Sequence, residues 1–123
     1  MRLTRSKFQH LVSQAMSELP VEVLNAMENV VVVIRDLPSK RQLEAGKPED
    51  LYSILGLYEG IPRPDRDGYN LALPDRITIF QRPLEVVCIS QDELLNEVKA
   101  TIIHEIGHHL GWSDDDLRQI NAD

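Results

Sequence analysis

The sequence predicts an α+β fold: one compact domain over residues 1–123, with a small sheet of about three strands packed against a long C-terminal helix and helices from the N-terminus. Two observations lead there. Apolar residues recur at helical spacing near both ends of the chain, at Phe8, Leu11, Val12 and Ala15, and again at Leu95, Val98, Ile102 and Ile106. Between them lie short runs rich in β-branched residues, VVVVIR and RITIF, which suit a pleated surface better than a helix.

Taken in order, residues 4–18 form an amphipathic helix that ends near Leu19. Pro20 suits the first turn of a second short helix, with Val21, Leu24 and Met27 on one side. VVVVIRDLP, residues 30–38, reads as a buried strand stopped by Pro38. SKRQLEAGKPED is polar, holds Gly46 and Pro48, and reads as a loop. LYSILGLYEG, residues 51–60, is a second strand weakened by Gly56. GIPRPDRDGYNLALPD, with three prolines, is a long irregular loop, and long loops in small domains are often functional. RITIF, residues 76–80, is the third strand, and LEVVCIS is strand-like. Ser90 and Glu93 form an S-x-x-E capping box that opens a helix from about residue 91 to 110. Leu95, Ile102 and Ile106 line its inner face, with Val98, Ile103 and Leu110 widening it. The stripe carrying Ala100, Thr101, His104 and His108 faces a cleft. Residues 114–121 form a short last helix.

The chemistry concentrates in HEIGHHLGWSD. His104 and His108 are four residues apart, so on a helix they lie about 40° apart around the axis, one turn above the other. Both imidazoles then project from one face, close enough to share a metal ion. Glu105, about 60° around from His108, reaches a water on that metal rather than the metal itself. This is the H-E-x-x-H arrangement, two histidines for zinc and a glutamate as general base. Gly111 follows three residues after His108 and Asp114 three after that, completing H-E-x-x-H-x-x-G-x-x-D. A glycine there takes the left-handed conformation that ends a helix and folds the chain back. Asp114 is thereby placed as a third ligand, leaving an open position for water. A wider turn leaves Asp115 or Asp116 in that role. The bland alternative is a pair of ordinary helix histidines with solvated acids beside them. His109 points about 100° away from His108 and reads as structural.

Composition narrows the function. Hydrophobic residues make up 42% and charged residues 27%, ordinary for a globular chain. No run approaches the ~18 apolar residues of a membrane span. The first twenty residues show no continuous apolar h-region, so no signal peptide is expected and the location is cytoplasmic. The single cysteine, Cys88, forbids an internal disulfide and reads as a small buried hydrophobe. A net charge of −7 argues against nucleic acid as the main partner. Arg63, Arg66, Arg76 and Arg82 are interleaved with Asp65, Asp67 and Asp75 and read as solvated loop surface.

VVVVIRDLP, LGLYEGIP, RITIF and HEIGHHLGWSDDDL, in this order across residues 30–117, resemble the small bacterial zincin-like metallopeptidases, or minimal zincins. The resemblance implies a compact α+β domain with the motif helix against a small sheet. It implies one zinc ion held by His104 and His108, Glu105 as general base, and Asp114 as third ligand. Peptides or proteins are the implied substrates, with no membrane partner. Many extended-motif zincins have a Met-turn after the motif, whereas Met1, Met16 and Met27 all precede it here. By analogy of fold, RITIF pairs antiparallel with an extended substrate. Tyr58, Tyr69 and His109 are the candidate donors to an oxyanion. Two alternatives stand beside this reading. Small metal-dependent endoribonucleases space histidines like positions 104, 108 and 114, but position 114 is aspartate here and Glu105 supplies a base. A non-catalytic binding domain that keeps the metal site is the other.

Overall fold

The computed structural model describes residues 1–46, 52–60 and 73–121. Among these, six helices surround a three-stranded mixed sheet. The chain runs α1 (Arg5–Ser17), α2 (Val21–Ala26), β1 (Val30–Arg35), α3 (Lys40–Gly46), β2 (Gly56–Glu59), β3 (Asp75–Phe80), α4 (Gln81–Val87), α5 (Gln91–Leu110) and α6 (Asp114–Asn121). The long predicted loop after β2 lies mostly outside the described residues.

The strand order is β1-β3-β2. β1 pairs parallel with β3, Val32 opposite Ile77, and β2 pairs antiparallel with it, Tyr58 opposite Ile77. RITIF is therefore the central strand, hydrogen-bonded on both sides, and cannot take a substrate as an added strand. Among the described residues β2 and β1 are the edges. β1 is half-buried rather than buried, with Val31 and Arg35 exposed, as an edge strand covered on one face would be.

Ile77 and Ile79 of β3 point into the main core and meet α5 through Val98, Ile102 and Ile106. α1 enters the same core with Phe8, Leu11, Val12 and Ala15. Thr4 caps α1 by accepting the Lys7 N–H. Ser90 caps α5 by accepting the Glu93 N–H, and α5 spans Gln91–Leu110 as its pattern predicts. Leu95 is only half-buried and Leu110 is exposed. α2 buries Val23 and Met27, four apart, while Val21 and Leu24 face solvent, so the buried side differs from the expected one.

Two segments depart in kind. The polar stretch after Pro38 contains helix α3 rather than loop alone. Ser39 and Gln42 form a reciprocal S-x-x-Q capping box, with Ser39 N–H donating to Gln42 Oε1 and Gln42 N–H to Ser39 Oγ. The run ending at Cys88 begins as helix α4 rather than strand. Its Glu85 carboxylate is almost fully buried and accepts hydrogen bonds from Leu3 N–H, Gln81 Nε2 and Arg82 Nη1. That tertiary network overrides the β-branched preference of Val86 and Val87.

Candidate metal centre

α5 carries the motif, and close backbone approach on each side positions it. At Gly56 of β2 an added Cβ would lie 2.6 Å from the Thr101 methyl and 3.2 Å from the Thr78 carbonyl oxygen. Gly56 is thus the point where the helix touches the sheet edge, not a flaw in the strand. At Gly107 an added Cβ would lie 2.7 Å from a Leu117 methyl and 3.3 Å from the Trp112 ring. Gly111, at φ 74°, ends the helix in the left-handed conformation. Trp112 N–H donates to Gly107 C=O at 2.8 Å and Gly111 N–H to His108 C=O at 3.3 Å, the paired bonds of a Schellman turn. The chain folds back, and Leu117 of α6 packs into the core.

His104 and His108 come together as predicted. Their ring centroids are 4.1 Å apart at 54°, and both side chains are exposed. Glu105 is half-buried beside them, and its Oε1 accepts the Tyr58 N–H of β2 at 2.8 Å. The strand register explains that bond. Leu55 C=O accepts from Phe80 N–H and Leu57 lies opposite Thr78, so odd-numbered residues turn their amides toward β3. Gly56 and Tyr58 turn theirs away from β3, where Glu105 meets one of them.

Asp114 is the first residue of α6 and is exposed. Among the described residues, no third histidine, cysteine, aspartate or glutamate joins the imidazole pair in a group able to hold a metal. Asp115 forms an ion pair with Arg118. Asp116 accepts the Ser113 N–H at 2.9 Å while Ser113 Oγ accepts the Asp116 N–H at 3.0 Å; the bond from the Ser113 amide, helped by the Ser113 side chain, holds the Asp116 carboxyl below the usual range.

His109 turns away from the pair and stacks on Tyr58, with centroids 3.9 Å apart at 17°. The Tyr58 hydroxyl donates to Asp75 at 2.6 Å, and His109 Nε2 lies 4.0 Å from the same carboxylate. Tyr69, Arg63 and Arg66 lie outside the described residues. Arg76 and Arg82 are not loop residues: Arg76 faces Glu59 at 3.6 Å and Arg82 faces Glu85 at 2.7 Å. Cys88 is buried, and burial pushes its thiol up, with Glu97 and Glu93 adding to the rise. That makes it a poor nucleophile.

A cleft of about 340 Å³ opens beside His104 and Glu105, walled by Ser53–Gly56 on one side and Glu97, Ala100 and Thr101 on the other. Of the predicted stripe of Ala100, Thr101, His104 and His108, the first three line it and His108 does not. The Tyr58 amide and Glu97 are the participants that sequence reading missed. A backbone N–H has no sequence signature, while Glu97 lies one helical turn before Thr101, on the cleft stripe itself.

A sequence model described as zincin-like metallopeptidase matches residues 27–123, which include every strand, α5 and α6. The chain belongs to that family. No curated protein matches it. Membership in the zincin-like metallopeptidases implies zinc, and two imidazoles on one exposed helix face offer the nitrogen donors that zinc takes. Among the described residues no helix is long and apolar enough to cross a membrane.

Proposed function

We propose that this zincin-like protein is a zinc-dependent peptidase in which Glu105 is the general base. The observation that carries the reading is the seat of Glu105. Its carboxylate accepts an amide N–H from the edge of β2 turned away from β3, next to His104 on the helix and one turn before His108. One zinc ion, when bound, supplies a water of lowered pKa and polarises the scissile carbonyl. His104 and His108 hold it from the helix face. Asp114 is the third ligand. Asp115 and Asp116 are engaged by Arg118 and Ser113, whereas Asp114 makes no ion pair or side-chain hydrogen bond among the described residues.

With Oε1 of Glu105 fixed by Tyr58, Oε2 is left to take a proton from the attacking water and return it to the leaving amine. An extended peptide adds antiparallel to β2 and uses the outward amide and carbonyl of Gly56. The Tyr58 hydroxyl already serves Asp75, which leaves it a poor candidate for an oxyanion donor.

Metal analysis should find about one zinc per wild-type chain and a loss on His108→Ala. The zinc-loaded protein should cleave members of an unbiased peptide library. Glu105→Gln should keep zinc while hydrolysis falls about 10²–10⁴-fold, the usual contribution of a positioned acid–base group. Zinc-loaded wild type that cleaves nothing, or Glu105→Gln at full activity, overturns the reading.

A further inference from the structure

We propose, building on the peptidase reading, that the cleft beside His104 receives a lysine or arginine side chain on the carboxyl side of the scissile bond, with Glu97 as its carboxylate partner. The cleft adjoins the site directly, because His104 and Glu105 form part of its wall. At about 340 Å³ it falls at the small end of ligand pockets, which suits one or two side chains. Its aliphatic surface comes from Ile54, Leu55, Ala100 and Thr101. Its charge is acidic: among the described residues no lysine or arginine lines it, and Glu97 and Glu105 do.

The two carboxylates differ in availability. Glu105 is held by the Tyr58 amide. Glu97 is half-buried and in no ion pair among the described residues, although Lys99, two positions on, is tied to Glu18 at 2.9 Å. A partly desolvated carboxylate on an apolar wall favours a cation. Lysine and arginine fit both features, because their methylene stems cover apolar surface while the charged end reaches out. The net charge of −7 attracts cationic peptides over longer range, in the same sense as the local contact.

The chain directions fix which side of the bond is read. Gly56 abuts Thr101 and Tyr58 meets Glu105, so β2 and α5 run the same way. A peptide antiparallel to β2 passes the His108 end first, then Glu105, then Glu97. The residue in the cleft therefore follows the reacting carbonyl.

The test uses fluorescent peptides that differ only at one position: lysine, arginine, norleucine or glutamate. Affinity is read by fluorescence anisotropy on zinc-loaded Glu105→Gln, and cleavage is read separately with wild type. Lysine and arginine peptides should bind about tenfold more tightly than norleucine, equivalent to about 1.4 kcal/mol. Adding Glu97→Gln should bring that ratio toward one, and adding Glu97→Lys should favour the glutamate peptide. Equal affinity for lysine and norleucine, a ratio unmoved by Glu97→Gln, or no binding of any peptide overturns the assignment. Lysine-selective binding without cleavage by wild type overturns the peptidase reading and keeps the cleft. Cleavage with no basic preference does the reverse.

Discussion

Gly56 and Thr101 meet where the edge strand lies on the motif helix, and the distance there sets where Glu105 finds its amide. Gly56→Ala puts a Cβ 2.6 Å from the Thr101 methyl, closer than such atoms come without a shift. The variant should lose about 1–3 kcal/mol in denaturant unfolding, the range for overpacking a filled contact. Thr101→Ser removes that methyl, so the double variant should recover part of the loss, with a coupling of about 0.5–3 kcal/mol. Strict additivity would place the strain elsewhere. At this scale the legible residues were those with side-chain chemistry at fixed spacing. His104, Glu105 and His108 stand out because a helix converts four-residue spacing into one face. The Tyr58 amide did not, because any residue at that strand position would offer the same N–H. Asp114 stays a matter of turn geometry, which Gly111 permits but does not specify.

Elements with a strong period were readable, and those made by tertiary contacts were not. α1 and α5 declare themselves through apolar spacing, and Ser90 marks the start of α5. α3 had a signal in Ser39 and Gln42, overshadowed by polarity and by Gly46 and Pro48. α4 had little local signal, because Gln81 and Glu85 become buried only through partners some 80 residues away in sequence. Strand order was also beyond local reading: RITIF alternates as well in the centre of a sheet as at its edge. The inner face of α5 gives the stability test. Ile102 is 0% exposed, so Ile102→Ala should cost about 2–5 kcal/mol in chemical denaturation. An unchanged midpoint would mean that the helix is turned the other way. Gly111→Ala should cost about 1–2 kcal/mol, because a side chain at φ 74° opposes the handedness of L-residues. The same change should weaken zinc retention if the turn is what delivers Asp114.

Across the whole molecule, one carboxylate joins distant parts of the chain. Glu85 on α4 accepts the Leu3 N–H at 2.8 Å, and Gln81 Nε2 bridges Leu3 C=O and Glu85 at 3.0 Å each. Arg5 Nε donates to Gln81 at 2.8 Å, fastening the start of α1 to the same group. Because α1 shares its core with α5, this hub steadies the helix that carries the histidines. Burial alone would raise the Glu85 carboxyl, but hydrogen bonds from Gln81, Leu3 and Arg82, together with the Arg82 charge, outweigh it and hold the group below its ordinary 4.5. A depressed folded-state value means that the unfolded chain binds the proton more readily. The stabilisation from Glu85 is therefore complete above about pH 4.5 and is lost as pH falls through the lower folded value. Glu85→Gln keeps the shape but turns an amide toward donors, so at pH 7 it should cost about 1–3 kcal/mol, the penalty for unmade buried hydrogen bonds. Its stability should also fall less steeply than that of wild type below pH 4.5. Urea titrations from pH 3 to 7 on both proteins measure this. Parallel acid limbs would show that other carboxylates, such as Glu18 and Asp116, govern the acid response and that the hub acts through packing alone.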